Sequence, residues 1–158
     1  MEGYRIGDRV WLWMRDFLTN RLQCVIVNGT KYTYRAVTSG ITQGSVLGSL
    51  LFLMFINDLP DKIIALIILF ADDTKIFTRI TSLQNCNKLQ HDLIKLQDWS
   101  KTWHLRFSSI KCKVLRLGPN PPSFQYVMLQ PNGDTVSLEE SSCESDIGGM
   151  VDHRLKFG

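Results

Sequence analysis

An α+β fold, with helices packed on one face of an antiparallel sheet, follows from three features of the sequence. Residues 83–103 repeat apolar side chains at spacings of three and four, the pattern of an amphipathic helix. Two Asn-Gly dipeptides, at 28–29 and 132–133, stand among stretches rich in β-branched residues, where that pair favours a two-residue hairpin turn. Residues 63–71 form an unbroken apolar run, the length of a buried strand. Strands and helices in this irregular order predict helices laid against an antiparallel sheet.

The elements follow in order. Asp8 is placed to cap a helix over residues 9–18, with Val10, Trp11, Met14, Phe17 and Leu18 on one face. A strand over 23–27, the Asn28-Gly29 turn and a return strand over 30–34 make the first hairpin. Residues 38–45 are a Gly/Ser/Thr loop, and Ser45 can cap a helix over 46–57 that is apolar all round and therefore buried. Pro60 lies just beyond its end. The run over 63–70 reads as a strand buried on both faces. Asp72-Asp73 interrupts it, and 74–78 is the outgoing strand. The long helix follows, carrying Leu83, Cys86, Leu89, Leu93, Leu96, Trp99 and Trp103 on its stripe. Short strands are expected at 113–117, 124–129 and 135–138, with a proline-rich loop at 118–123.

The bulk numbers bound the class. The 158 residues suit one domain, and 44% hydrophobic with 21% charged residues is a globular composition. A net charge of +3 permits a nucleic-acid partner without demanding one. Cys24, Cys86, Cys112 and Cys143 form no CxxC pair, which argues against a zinc site or a disulfide framework. Reduced thiols fit an intracellular protein, in nucleus or cytoplasm. The apolar runs at 46–56 and 63–71 are shorter than the roughly 20 residues of a membrane span, so no membrane role is expected. The polar start at residues 1–8 carries no secretory signal.

Three clusters can carry chemistry. The first is Phe70-Ala71-Asp72-Asp73. Burying two carboxylates uncompensated would cost on the order of several kcal/mol each. A tight turn at the sheet edge avoids that cost and lets both approach one cation. Mg²⁺ prefers carboxylate and phosphate oxygens, and two such ions about 4 Å apart stabilise the attacking and leaving oxygens of phosphoryl transfer. A solvated turn after a core strand would carry the same residues. The second is Gly40-Ile41-Thr42-Gln43-Gly44-Ser45, where glycine permits close backbone approach and a helix start attracts phosphate. An ordinary capped helix start explains it equally. The third interleaves Trp99, Trp103 and Phe107 with Lys101, Arg106, Lys111, Lys113 and Arg116. That mixture can hold a phosphate backbone and stack bases, but the two tryptophans also continue the helix's apolar stripe.

Taken together, these segments resemble the reverse transcriptases of non-LTR (LINE-type, jockey-like) retrotransposons. VTSGITQGSVLGSLLF, over 37–52, resembles their motif B, and INDLP, over 56–60, is typical of the group. LFADDTKIF, over 69–77, resembles motif C, the Asp-Asp hairpin. LQHDLIKLQDWSKTWHLRFSSIKCKVLRLG, over 89–118, resembles motif D, and ESDIGGMVDHRLKF, over 144–157, resembles motif E. WMRDFLTNRLQCVIVNG, over 13–29, resembles the segment between motifs A and B. The likeness runs over nearly the whole chain, in the family's order.

The resemblance implies a partial polymerase palm, spanning motifs B to E over 1–158, without fingers, motif A or most of the thumb. It implies Asp72 as the principal metal ligand and Asp73 as the weaker one, both for Mg²⁺. Gln43 and Gly44 would lie against the templating base pair and incoming nucleotide. Phe70 and Ala71 would shape the turn near the primer end. Lys111 would donate a proton to the leaving pyrophosphate, or be a surface lysine. The partners implied are an RNA template, a DNA primer and deoxynucleotides. Thr42 and Ser49 stand where the family commonly has proline, Ser108 where it has asparagine, and Gly149 where it has valine.

Motif A supplies a third catalytic carboxylate in that family. No apolar strand ending in aspartate precedes the first helix here, and Asp8 and Asp16 suit helix roles. Three readings follow. The chain is an inactive remnant, with a sheet edge or apolar face left uncovered. It is one half of an enzyme whose N-terminal half is a separate polypeptide. Or it is a non-catalytic nucleic-acid-binding or interaction module.

Overall fold

The computed structural model describes residues 7–118, 122–130, 132–146 and 149–152. The elements divide into two compact units, Met1–Phe55 and Ile56–Gly158.

The first unit opens with helix α1, Asp8–Leu18. Its N-cap is Gly7 rather than Asp8: the Gly7 carbonyl accepts from the N–H groups of Val10 and Trp11, both at 3.0 Å. Asp8 sits in the first turn, where a carboxylate still favours the positive end of the helix dipole. Of the predicted apolar face only Met14 is buried, while Val10 and Trp11 are exposed. The first hairpin forms as two ladders. Strand β1, Leu22–Gln23, pairs with β4, Arg35–Ala36; β2, Ile26–Val27, pairs with β3, Thr30–Lys31, all antiparallel. Asn28 (φ 50°) and Gly29 (φ 78°) both have positive φ, as a two-residue hairpin turn of the primed kind requires. A glycine-bearing loop leads to α2, Val46–Ile56.

The second unit continues with a short 3-10 turn, Pro60–Lys62, and a hairpin of β5, Leu66–Phe70, and β6, Asp73–Phe77. Helix α3, Leu83–Trp103, follows its predicted bounds and ends at His104 in the left-handed conformation, φ 56°. The remaining strands are β7, Lys113–Leu115; β8, Val127–Leu129; β9, Thr135–Ser137; β10, Glu139–Ser141; β11, Cys143–Asp146; and β12, Gly149–Asp152. The β8–β9 hairpin is the one expected around Asn132-Gly133. The β11–β12 hairpin, and the parallel pairing of β10 with β7, were not legible in the sequence. The core lies where α3 covers this region: Cys86, Tyr126, Met128 and Leu138 are buried together, with Leu89, Leu93, Phe107 and Val114 packed on them.

The α+β class therefore stands, as does its fit to part of a polymerase palm. The predicted single sheet is divided, among the described residues, into six two-stranded ladders. Two burial expectations fail. β5 is not covered on both faces: Leu66, Ile68 and Phe70 are 61%, 45% and 54% exposed, alternating with half-buried Ile67 and Leu69. Alternation of this kind is what one covered face produces. Likewise α2 is not buried all round, since Val46, Leu50 and Leu53 are exposed while Leu51 and Ile56 are buried. All four cysteines are free thiols. No helix among the described residues is long and apolar enough to cross a membrane. Part of the predicted 118–123 loop, and the end of the motif E likeness beyond 152, lie outside the described residues.

Candidate active site

The site is built on the β5–β6 hairpin. Leu66-Ile67-Ile68-Leu69-Phe70 favours extended backbone through its branched and aromatic side chains. The strands pair from Leu66↔Phe77 to Phe70↔Asp73, which leaves Ala71 and Asp72 as a two-residue turn. The turn therefore begins one residue before the carboxylate pair, and Asp73 is already in the returning strand. Ala71 takes φ 50°, a left-handed conformation uncommon for a residue with a side chain. Backbone strain of this sort collects at functional sites. It turns the chain so sharply that Asp72 stands at the apex with Asp73 directly after it.

Both carboxylates are exposed. Two adjacent oxygen donors at a water-accessible tip suit a hard divalent cation. They are an incomplete shell by themselves: no group of three or more His, Cys, Asp or Glu side chains that could hold a metal ion occurs among the described residues. The donor chemistry thus fits Mg²⁺ in part, with the remaining positions left for water, substrate phosphates or a further carboxylate.

Gln43 and Gly44 lie in the glycine loop of the first unit. Gly40 (φ 78°) and Gly44 (φ 81°) are left-handed, and a Cβ at either would meet open space. Glycine is therefore required there by backbone conformation and not by crowding. The loop is tied down from below by Arg21, whose guanidinium donates to the Gly40 carbonyl at 2.5 Å and to the Leu18 carbonyl at 3.0 Å. Ser45 closes it, accepting from the Gly48 N–H at 2.9 Å as the predicted cap. Gln43 is exposed.

Lys111 lies on the turn joining α3 to β7, its N–H donating to the Ser108 carbonyl at 3.0 Å and its side chain exposed. The mixed basic and aromatic stretch has mostly structural partners. Trp99 is buried and donates from Nε1 to Asp58 at 2.9 Å. Arg116 donates to the Pro122 and Phe124 carbonyls and pairs with Glu140 at 2.6 Å. Lys113 pairs with Glu139, and Lys101 with Asp98 at 3.3 Å. The Lys113 ammonium holds the Glu139 carboxyl below its ordinary range.

The sequence reading missed the residues that brace the hairpin. Asp92 is 2% exposed and accepts at Oδ2 from the N–H groups of Ile64, at 3.0 Å, and Ala65, at 2.8 Å. Gln90 and Gln97 each both donate to and accept from the backbone of one β8 residue, Val127 and Leu129. A signal was present for Asp92. It stands seven residues before Trp99, on the helix's buried stripe, where a charge needs partners.

The comparisons with known proteins agree with this geometry. The sequence family described as Reverse transcriptase (RNA-dependent DNA polymerase) matches residues 3–141. The RNA-directed DNA polymerase from mobile element jockey of Drosophila melanogaster is 34% identical over 158 residues, covering 94% of this chain and 17% of that protein. The probable RNA-directed DNA polymerase from transposon BS, also of Drosophila melanogaster, is 30% identical, covering 92% of this chain and 17% of that protein. The probable RNA-directed DNA polymerase from transposon X-element of the same species is 24% identical over 91% of this chain and 16% of its own length. The chain thus spans about one sixth of the length of the relatives it matches. No solved structure matches it. A family match over most of the chain, with two relatives at 34% and 30% identity and the Asp-Asp hairpin formed, shows that the chain belongs to the reverse transcriptase family, in its non-LTR, LINE-type branch.

Proposed function

We propose that this chain carries part of the palm of an RNA-directed DNA polymerase, and that its 158 residues do not transfer nucleotides unaided. The reaction is attack of a primer 3′ hydroxyl on a deoxynucleotide α-phosphate, directed by an RNA template. The observation that supports it best is the two-residue hairpin tip, Ala71-Asp72, delivering Asp72 and Asp73 side by side into solvent. In this reading Asp72 and Asp73 hold divalent cations, with Asp72 the principal ligand. Bound there, Mg²⁺ would neutralise charge on the attacking and leaving oxygens. Phe70 and Ala71 set the turn beneath the primer end. Gln43 and Gly44 lie against the templating pair and the incoming nucleotide, where glycine lets the backbone approach closely. Lys111 protonates the departing pyrophosphate.

Inactivity of the isolated chain rests on the incomplete ligand shell. Two carboxylates without a third hold a pair of metal ions poorly, so this reading requires a polypeptide bearing the fingers and the motif A carboxylate, whether joined to this segment or separate from it. The test is primer extension on an RNA template with Mg²⁺ and deoxynucleotides. The expected result is no extension by the chain alone and extension once that polypeptide is added. Asp72→Ala then lowers the restored rate by more than about 100-fold, the upper range for residues one step further from a metal. Lys111→Ala lowers it by about 100-fold, the lower range for a general acid. Extension by the chain alone would remove the claim of inactivity. Failure of the added half to restore extension would remove the polymerase reading. Salt-dependent RNA binding that survives Asp72→Ala and Asp73→Ala would then favour a binding module.

A further inference from the structure

The β5–β6 hairpin is one of the isolated ladders, with no third strand beside it among the described residues. One of its faces, at Leu66, Ile68 and Phe70, is exposed. A two-stranded ladder is marginal by itself, so the direction of its tip depends on what grips its root. That grip comes from α3. Asp92, inside the helix and 2% exposed, binds the N–H groups of Ile64 and Ala65 through one oxygen. Those two residues immediately precede β5. The other carboxylate oxygen meets Lys95 Nζ at 3.3 Å. A buried carboxylate is costly unless it is paired and hydrogen-bonded, and here each oxygen has a partner.

The helix that carries Asp92 is itself held firmly. Gln90 and Gln97, two turns apart on one face, clamp Val127 and Leu129 of β8 with hydrogen bonds of 2.8 to 3.2 Å. Asp92 and Trp99, also two turns apart, lie roughly 200° round the helix from the two glutamines. Trp99 holds Asp58 on the segment before the 3-10 turn. One face of α3 thus fastens it to the core, and the opposite face fastens the approach to the hairpin.

Leverage makes the Asp92 contact matter. At about 3.3 Å per strand residue, the turn stands roughly 20 Å from Ala65. A tilt of about 10° at the root would move the carboxylates by about 4 Å, as far as two catalytic metal ions stand apart. Misplacement by about 1 Å can already cost 100-fold in rate.

We infer that Asp92 is a positioning residue for the Asp72–Asp73 pair: it fixes the start of β5 to α3 and so sets the direction in which the hairpin presents both carboxylates. The inference deepens the polymerase reading and rests on it for the purpose of that alignment.

The test is amide hydrogen exchange on the full chain, comparing wild type with Asp92→Ala and Asp92→Asn. Removing a charged acceptor from two N–H groups should speed exchange across residues 66–77 by about tenfold or more. Exchange in β8 and β9 should stay at its wild-type rate. Asp92→Asn keeps an oxygen that can accept from both N–H groups, and it should return hairpin exchange to near wild type. Unchanged hairpin exchange in Asp92→Ala would overturn the inference. So would equal acceleration of the hairpin and of β8–β9, because that marks a general stabiliser. Mn²⁺ added to the same samples should broaden the Asp72 and Asp73 resonances of wild type and of Asp92→Ala alike, because both carboxylates ride on the same hairpin tip. Absence of broadening in wild type would count against the polymerase reading, while the exchange comparison would still decide the role of Asp92.

Discussion

Ser45 shows how much one side chain settles at the start of α2. Its Oγ donates to the Thr42 carbonyl at 2.8 Å and accepts from the Gly48 N–H at 2.9 Å, joining the loop to the first turn of the helix. The fit is close: a Cβ at position 48 would come within 2.8 Å of Ser45 Oγ and 2.9 Å of the Thr42 carbonyl. The glycine of the helix start is therefore a packing requirement, unlike Gly40 and Gly44, which are set by backbone conformation. Replacing Ser45 by alanine should cost about 1 kcal/mol, the usual value of an N-cap. Gly48→Ala should cost more, because its contacts include backbone. Urea unfolding of the two variants measures both, and equal stability of Ser45→Ala and wild type would show that the cap is dispensable.

At the scale of the elements, α3 organises the second unit through polar side chains as much as through its apolar stripe. Cys86, Leu89 and Leu93 pack on Tyr126 and Met128, while Gln90 and Gln97 complete the hydrogen bonding of β8. Val127 and Leu129 each have their N–H and C=O bound by one amide side chain. This stands in for a neighbouring strand, which β8 lacks on that edge among the described residues, and it caps the groups that could recruit other chains. Gln97, only 7% exposed, is the sharper test. Gln97→Leu preserves bulk and leaves the Leu129 N–H and C=O unpaired, which should cost about 1–3 kcal/mol. Denaturant unfolding followed by tryptophan fluorescence reads this out, and a neutral effect would mean that water satisfies both groups.

At the scale of the whole molecule, the stability of the second unit carries a pH signature from its core. Tyr126 is 5% exposed, its ring tilted against that of Phe124 with centroids 4.9 Å apart, and packed against Cys86. Burial, with a smaller contribution from the Cys86 hydrogen bond, pushes its hydroxyl from 10.0 up to about 12. The folded form therefore keeps its proton where the unfolded chain has lost it. Any stability tied to this proton is fully present below pH 10 and is lost as pH rises from 10 towards 12. Thermal melts at pH 9 and pH 11 should show a drop in the wild type that is smaller in Tyr126→Phe. An identical drop in both proteins would place the alkaline sensitivity elsewhere.

Local rules made much of this protein legible in its sequence. The three-and-four spacing from Leu83 to Trp103 named α3 to the residue. Asn28-Gly29 and Asn132-Gly133 marked two hairpins: both residues of the first pair take left-handed backbone, while in the second only Gly133 does and the connection is longer than two residues. The Asp72-Asp73 pair after an apolar strand named the candidate site and, with motifs in order around it, the family. Other features depended on which surfaces meet. The apolar runs of α2 and β5 looked alike in sequence whether covered on one face or two, since periodicity cannot say how many neighbours an element has. The parallel β7–β10 pair joins residues 26 apart, Lys113 and Glu139, and no local signal encodes such a pairing. Asp92 is the clearest case: its spacing from Trp99 signals a buried position, but no local pattern names its partners. Only the fold brings two backbone N–H groups within 3.0 Å of it and gives a buried charge something to hold. Composition and spacing are properties of the chain, and the sequence alone carried the helices, the turns and the carboxylate pair. Partnership between distant residues is a property of their placement, and the tertiary structure alone decided what braces that pair.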